Sequence, residues 1–477
     1  MSMSTATATL RRMADLPGPP TLPLVGNAFQ INRDQIHLGM ERWSREYGPL
    51  FQAYFGRMRI LVVADHELIN GILRARPENF SRSTRLEIVS REMGLKLGVF
   101  AAEGEAWRNQ RRMVMASFSP SHIRAYFPSL QKVTGRLEAR WRAAAGAGAT
   151  IDLQADLMRF TVDAIAGLAF GADVNTLESD DDIIQRHLDK IFPALFKRIF
   201  SLFPYWRYLR LPADRRLDHS VREINRAIEG FIGAARQRLQ EPALRERPRN
   251  LLEAMIVAAD QPGSGLDDKD VAGNVLTMLL AGEDTTANTL AWMIYLLQRH
   301  PQALQRAQEE VRRLAPDPAA FTPEQMASLD YLEACAHETM RLKPVAPNLP
   351  VEAIRDTVVA GFAVPADTMV WSLLRHDSMD DRLVADAAQF RPERWLAAGA
   401  QDPSAAASAK RVSMPFGSGP RVCPGRYLAL LEIKMAMAML LGCFEIASVD
   451  TPDGGPAQEL MSFTMSPVGL RMRLRTR

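Results

Sequence analysis

The residues with the clearest chemical potential surround one cysteine. Cys423 ends the run Pro415-Phe416-Gly417-Ser418-Gly419-Pro420-Arg421-Val422-Cys423, and Pro424, Gly425 and a strongly helical stretch follow it. The unpaired N–H groups of a helix start and the charge of Arg421 both stabilise a thiolate anion. Glycines allow the backbone to turn sharply and to pass close to a large flat ligand. This setting predicts that the Cys423 thiolate is a ligand of iron.

The spacing of this run resembles a family signature. The pattern Phe416-x-x-Gly419-x-Arg421-x-Cys423-x-Gly425 is similar to the haem-binding signature of the cytochrome P-450 monooxygenases, with every fixed position filled. The resemblance implies haem b with an axial cysteine thiolate, the ligation that this family uses. A buried apolar cysteine in a glycine-rich turn is the simpler alternative. Five spaced matches around one thiol favour the iron ligand.

The other two cysteines lack such a setting. Cys335 and Cys443 lie in apolar helical stretches, so both are predicted to be core residues. A count of three cysteines also argues against a disulfide framework and favours a reducing compartment.

A second group of polar residues interrupts an apolar helix. The run Ala281-Gly282-Glu283-Asp284-Thr285-Thr286 lies within a stretch of apolar periodicity from about 268 to 300, roughly 50 Å long as a helix. Polar groups at its centre are costly unless they are used or satisfied. Both threonines could bond back to carbonyls one turn earlier, with Asp284 paired to a surface cation. The resemblance instead implies that Gly282 lets the helix open for dioxygen, that Thr285 donates a hydrogen bond to it, and that Asp284 relays protons.

A third pattern concerns the support of the cysteine segment. Glu338 and Arg341 share a helix face, an arrangement that is usually an ordinary exposed pair. Together with Arg394, in the run Phe390-Arg391-Pro392-Glu393-Arg394-Trp395, they resemble the buried glutamate and arginine cluster of the family. The resemblance implies a structural role, without a catalytic step.

Haem carries two propionates, which call for cations. Trp107 and Arg111 are four residues apart on one helical face and resemble the propionate-binding Trp-x-x-x-Arg helix of the family, and Arg421 would serve the same end. The chain departs from the family pattern at Val351, where many members carry arginine. Arg375 or His376 is a candidate replacement, or the charge is not replaced.

The elements that must position these residues are mostly helices. The prediction is a mainly α fold with small β-sheets (α+β), similar to the P-450 haem-thiolate fold with its long central buried helix. Residues 1–15 are predicted to be a flexible segment, and 16–477 a single haem domain. Helical periodicity is seen at 67–74, 107–118, 155–167, 183–200 and 219–239, strands are predicted at 50–64 and 356–372, and 397–409 is predicted to be a surface loop.

Composition excludes some functions. The formal charge of +3 comes without a basic block interleaved with aromatic residues, which argues against a nucleic-acid partner. The first 15 residues lack the ~20 apolar residues of a spanning helix. We therefore expect no membrane anchor, a cytoplasmic location and a monomer.

The function implied by the resemblance is a monooxygenase. It would insert one atom of dioxygen into a hydrophobic molecule, such as a fatty acid, terpenoid or polyketide, by hydroxylation or epoxidation. Electrons would come from NAD(P)H through a separate ferredoxin with its reductase, or a flavodoxin, because the chain has no dinucleotide fingerprint. A peroxygenase or isomerase is an alternative that needs no acid and hydroxyl pair, and a non-catalytic ligand sensor is another.

Two further sets of residues follow from this interpretation. The substrate pocket is expected to be lined by Phe100, Leu279, Val345, Leu349 and Phe463, with carboxylate-binding or solvent-facing cations at Arg82, Arg85, Arg91 and Lys96. The docking face for the electron donor is expected to include Arg108, Arg112, Arg426 and Lys434.

Overall fold

Helices dominate the fold. The computed structural model describes residues 10–179, 183–396 and 409–477. Its helices are α1 (Ile36–Tyr47), α2 (His66–Arg74), α3 (Thr84–Glu92), α4 (Gly98–Ala101), α5 (Gly104–Ser117), α6 (Pro120–Gly146), α7 (Leu153–Phe170), α8 (Ile183–Leu188), α9 (Ile191–Ile199), α10 (Pro212–Arg238), α11 (Pro242–Glu246), α12 (Leu251–Ala259), α13 (Asp268–Arg299), α14 (Pro301–Leu314), α15 (Pro323–Ala327), α16 (Asp330–Leu342) and α17 (Arg426–Cys443).

Short strands form four small sheets beside the helices. They are β1 (Arg11–Arg12), β2 (Leu50–Phe55), β3 (Met58–Val63), β4 (Phe80–Ser81), β5 (Ile151–Asp152), β6 (Asn348–Ala353), β7 (Thr357–Val359), β8 (Phe362–Val364), β9 (Met369–Leu373), β10 (Phe444–Asp450), β11 (Glu459–Met461), β12 (Met465–Pro467) and β13 (Arg471–Thr476). The largest sheet has the order β2-β3-β9-β6-β4. Strands β11 and β12 form a hairpin, and β10, β13 and β5 form a third sheet.

Helix α13 is the long buried helix of the fold. It begins at the cap residue Asp267, whose carboxylate accepts a hydrogen bond from the N–H of Asp270 at 2.8 Å. Every residue from 286 to 297 is buried. At Gly282 a Cβ atom would lie 3.0 Å from the Ile165 side chain of α7. Glycine therefore allows α13 and α7 to pack closely, and the helix is unbroken at this point.

The predicted fold class is confirmed, with differences in detail. The region 183–200 holds two helices, α8 and α9, rather than one. At the N-terminus, residues 1–9 lie outside the described residues, whereas Arg11 and Arg12 pair with β8 and Met13 is buried. Of the predicted loop at 397–409, residues 397–408 lie outside the described residues. Among the helices of the described ranges, none is long and apolar enough to cross a membrane.

Candidate active site

The cysteine loop is a tight turn held between α2 and α17. The N–H of Cys423 donates a hydrogen bond to the carbonyl of Phe416 at 3.0 Å. Gly419 has a φ of +72°, and a Cβ there would lie 2.7 Å from the Leu73 carbonyl oxygen, so only glycine fits. At Gly425 a Cβ would lie 3.9 Å from the Cys423 sulfur. A glycine at this position keeps the space beside the sulfur open, as a flat ligand requires.

The Cys423 sulfur has positive groups around it. Burial raises the pKa of its thiol, whereas the N–H of Gly425 and the charges of Arg111 and Arg426 act in the opposite direction. Arg111 is anchored beside the loop by a hydrogen bond from Nη2 to the carbonyl of Val422 at 2.7 Å. A bound metal ion deprotonates a coordinating thiol outright. This donor and its surroundings therefore fit an iron ligand.

Three arginines next to the loop have unused donors. Arg76, Arg82 and Arg421 surround the single carboxylate of Glu103, to which Arg421 is hydrogen-bonded. Nε and Nη1 of Arg76, Nε of Arg82, and Nε and Nη1 of Arg421 are buried without a hydrogen-bond partner among the described residues. Burial and neighbouring cations, opposed by Glu103, lower the pKa of Arg76 to about 10 and that of Arg82 to about 9.

Such an excess of buried positive charge calls for an anion. Three guanidiniums share one carboxylate, which leaves two positive charges without a partner among the described residues. Because buried charges are normally paired, this arrangement fits a dianion. Trp107 is buried as well, and its ring centroid lies 4.6 Å from Cζ of Arg421. The residues present therefore fit haem at two points, the sulfur of Cys423 and the unpaired guanidinium donors.

Arg375 and His376, the candidate replacements for a cation at Val351, are engaged elsewhere. Arg375 is buried and forms ion pairs with Glu41 at 2.9 Å and Glu459 at 2.9 Å. His37 adds a 2.8 Å contact between Nε2 and Glu459. His376 contacts Asp377 at 2.9 Å, and His66 contacts the same carboxylate at 2.7 Å. Unused donors are found instead on Arg76, which the sequence analysis missed, and on Arg82, which it assigned to substrate or solvent.

On α13, Thr285 follows the simpler of the two alternatives. Its hydroxyl donates a hydrogen bond to the Ala281 carbonyl at 2.7 Å, one turn earlier. Thr285 and Ala281 also line an apolar cavity. The Thr285 hydroxyl therefore stands at the cavity wall, and it can exchange its carbonyl acceptor for a ligand by rotation.

Within the described ranges, Asp284 is not paired with a surface cation, which was one of the two predictions for it. Its carboxylate accepts hydrogen bonds from Asn288 Nδ2 at 2.8 Å and from the hydroxyl of Thr464, in the hairpin β11–β12. Burial raises the pKa of Asp284, and these two hydrogen bonds act in the opposite direction. Asp284 is thus a partly buried acid that is connected to the cavity wall through Thr464.

A second buried acid lies behind the motif. Thr286 forms a side-chain hydrogen bond with Glu432 of α17. Burial raises the pKa of Glu432 to about 8, and the contact with Thr286 acts in the opposite direction. Burial therefore favours the protonated form of Glu432. It links α13 to the helix that follows Cys423.

The cavity beside Thr285 is largely apolar. Its volume is about 250 Å³. Phe100, Leu349 and Phe463 line it as predicted, whereas Leu279 and Val345 are not among its lining residues. Phe463 stacks on Phe192 with a centroid distance of 4.5 Å, and its φ of +93° is unusual for a bulky residue.

The glutamate and arginine cluster is assembled and buried. Glu338 accepts hydrogen bonds from Arg341 Nε at 2.8 Å and Arg394 Nε at 3.0 Å, and Trp395 Nε1 donates to it at 2.8 Å. Arg341 also donates to the carbonyls of Ser378 and Ala387. The cluster therefore joins α16 to the segment that precedes the cysteine loop.

The predicted docking cations do not all lie at the surface. Arg108 and Arg112 are exposed on α5, and Arg426 is partly exposed and packs on the ring of Tyr427. Lys434, in contrast, is buried in an ion pair with Glu333 at 2.6 Å. The prediction for Lys434 was wrong, because its position on α17 faces α16 rather than solvent. Cys335 is buried as predicted, while Cys443 is only partly buried.

Comparison with known proteins identifies the class. The family model described as Cytochrome P450 matches residues 16–473, so the chain belongs to the cytochrome P450 family. Members of this family bind haem through a cysteine thiolate.

Individual relatives are distant and varied. The chain is 28% identical over 484 residues to the bifunctional cytochrome P450/NADPH–P450 reductase of Gibberella moniliformis, covering 100% of this chain and 42% of the relative. It is 25% identical to cytochrome P450 3A6 of Oryctolagus cuniculus, covering 92% of this chain and 87% of that protein. It is also 28% identical to the mitochondrial 25-hydroxyvitamin D-1 alpha hydroxylase of Rattus norvegicus, covering 92% and 89%. The chain thus spans less than half of the bifunctional relative.

Proposed function

We propose that this protein inserts one atom of dioxygen into an elongated hydrophobic substrate, with electrons from NAD(P)H delivered by a separate ferredoxin or flavodoxin. The observation that supports it best is a cysteine loop flanked by arginines with unpaired donors, together with an apolar cavity lined by Thr285 and by Thr464, the partner of Asp284. The apolar lining supports a hydrophobic substrate. The cytoplasmic location stays a prediction, consistent with three free thiols.

The residues that would hold haem can be named. Cys423 would supply the axial ligand, and Arg76, Arg82, Arg111 and Arg421 would neutralise the propionates, with Trp107 packed against Arg421. When bound, the haem supplies the oxygen-activating chemistry and the thiolate donates electron density to it. Gly425, the glycine nearest the sulfur, would leave space beside it for the haem.

Protons would reach the cavity through side chains of α13. Asp284 holds a proton more readily than an exposed aspartate, because burial raises its pKa. Thr464 connects this acid to the cavity, and Thr285 presents a hydroxyl that can donate once it leaves the Ala281 carbonyl. An acid poised in this way is suited to deliver protons to a reacting oxygen. A peroxygenase or isomerase would have no use for this arrangement.

Electrons would arrive at the surface over the cysteine loop. Helix α5 is tied to this loop through Arg111 and Val422, and it carries the exposed Arg108 and Arg112. Together with Arg426, Arg112 and Arg108 would offer positive charge to an acidic electron carrier, although Arg108 also lies 3.7 Å from Glu78 and from Glu105.

The proposed ligand is tested by spectroscopy of the thiol variants. The reduced, carbon-monoxide-bound protein should show the red-shifted Soret band of thiolate-ligated haem. Cys423→Ala should abolish this band, while Cys335→Ala and Cys443→Ala, the matched controls, should keep it. A thiolate band that persists in Cys423→Ala would contradict the assignment.

A further inference from the structure

The cavity wall contains polar groups that the proposed chemistry does not use. Asn348 and Trp371 both line the cavity and are 8% and 3% exposed. Neither polar atom of the Asn348 amide has a hydrogen-bond partner among the described residues, and the same holds for Nε1 of Trp371. Buried polar groups are paired in the great majority of proteins, because an unpaired one costs its full desolvation energy. These groups therefore point to a ligand that pairs with them.

The side chain of Arg85 lines the same cavity and has no counterion among the described residues. Arg85, also a lining residue, donates a hydrogen bond to the carbonyl of Ser201, and no carboxylate of the described residues lies within ion-pair distance of it. Burial lowers the pKa of Arg85, and the charge of Arg207 lowers it further. A partly buried guanidinium held only by a neutral carbonyl is incompletely compensated.

The other three candidate cations of the sequence are paired with carboxylates or belong to the arginine cluster that would face the propionates. Arg91 pairs with Glu87 at the surface, and Lys96 pairs with Asp270 at 2.9 Å. Arg82 belongs to the cluster around Glu103. Of the four, Arg85 is the one that remains available to an anion in the cavity.

Arg85, Trp371 and Asn348 lie at the same end of the cavity. Ser201, which receives the Arg85 hydrogen bond, follows Phe200, and Phe200 stacks on Trp371 with a centroid distance of 5.5 Å. In the pairing of β6 with β9, Asn348 lies opposite Leu373, two residues from Trp371, so Asn348 and Trp371 are on the same face of the sheet.

Helix α9 runs between the Arg85 end of the cavity and the end near Asp284. Phe192 in its first turn stacks on Phe463, the neighbour of Thr464 and hence of Asp284. Phe200 follows its last residue. Eight residues at 1.5 Å each place these two aromatic contacts roughly 12 Å apart.

We propose that the substrate is an elongated apolar molecule with a terminal carboxylate, held by Arg85, Asn348 and Trp371, and that it is oxidised at a carbon roughly 12 Å away along the cavity. The guanidinium donates a charge-assisted hydrogen bond to the carboxylate, and the amide and indole N–H groups donate two more. The apolar chain then follows α9 past Phe196, which also lines the cavity, toward Thr285. This inference rests on the proposed function, because it places the reacting carbon at the Thr285 end.

The experiment compares two ligands of one length, dodecanoate and dodecanol, in the haem-loaded protein. Affinities come from isothermal titration calorimetry, which needs no spin-state change. We expect dodecanoate to bind about tenfold to a hundredfold more tightly than dodecanol. Arg85→Leu should remove this preference and leave dodecanol binding unchanged. Arg91→Leu, on the same helix, is the matched control and should retain it.

A second variant separates the amide from the charge. Asn348→Leu keeps the size of the side chain and should weaken both ligands, because either oxygen function would pair with the amide. Equal affinities for dodecanoate and dodecanol in the wild type would overturn the inference, as would equal behaviour of Arg85→Leu and Arg91→Leu. Such a result would leave the proposed function intact if the thiolate band is present. A missing thiolate band would overturn the proposed function while the calorimetric preference could still be observed.

Discussion

Replacement of Glu338 by glutamine should sharply destabilise the protein. This carboxylate is fully buried and is the shared acceptor for Arg341, Arg394, the Trp395 indole and the N–H of Arg391. Glutamine keeps the shape but removes the charge, so two buried guanidiniums lose their counterion. Removing one partner of a buried ion pair typically costs about 3–5 kcal/mol. That is a large fraction of the ~5–15 kcal/mol by which folded domains are stable.

The assay is urea denaturation of the haem-loaded protein, followed by far-ultraviolet circular dichroism. Glu338→Gln should lower the free energy of unfolding by about 3–5 kcal/mol. Asp330→Asn, an exposed change in the first turn of the same helix, should cost less than ~1 kcal/mol because only a helix-dipole interaction is weakened. A Glu338→Gln variant as stable as this control would refute the reasoning.

The pH dependence provides an independent check. Burial alone would raise the pKa of Glu338, but the hydrogen bond from Arg341 and the charges of Arg341 and Arg394 outweigh it, so its pKa is lowered. A carboxyl group with a lowered pKa stabilises the fold above its unfolded-state pKa, and this contribution is lost as the pH falls. The stability difference between wild type and Glu338→Gln should therefore shrink on acidification. A difference that stays constant into the acid range would contradict the proposed ion pairs.

Two further predictions concern turnover and reduction. Thr285→Ala should preserve haem and substrate binding but lower the coupling, which is the product formed per NAD(P)H consumed, with peroxide released instead. Thr464→Val should lower the coupling as well, because it removes the hydroxyl bonded to Asp284. Thr464→Ser, which keeps that hydroxyl, should restore the coupling. Unchanged coupling in Thr285→Ala and Thr464→Val would favour another proton route. Arg112→Glu should slow reduction by an acidic ferredoxin several-fold, and the wild-type rate should fall with ionic strength because charge steering is screened over ~8 Å at physiological salt. Stopped-flow rates that are independent of salt and equal in both proteins would exclude this docking face.

Local patterns predicted much of the site. The cysteine loop could be recognised because its residues are contiguous, and Trp107 and Arg111 because residues four apart share a helix face. The span of α13 followed from its apolar residues and from Pro301. These features depend on short-range geometry, which a single sequence contains.

Partners that are distant in sequence could not be predicted. Asp284 is bonded to Thr464, 180 positions further along the chain. Arg76 lies two residues after the end of α2, where a cation ordinarily faces solvent and interacts with the helix dipole. The residue type and position of Arg375 predicted that it binds a propionate, but its side chain pairs with Glu41 and Glu459 instead. In each case the tertiary contact, rather than the residue type, decides the role.

The ion-pair network around Arg375 bears on the order in which the chain folds during synthesis. Arg375 and its partner Glu41 are both made long before Glu459, the second carboxylate of the network. A buried cation with only part of its compensation is unfavourable, so we expect α1 and the segment after β9 to pack fully around Arg375 only after residue 459 has left the ribosome. The same hairpin then brings Phe463 and Thr464 to Asp284. We therefore expect the reaction end of the cavity to be completed late in translation.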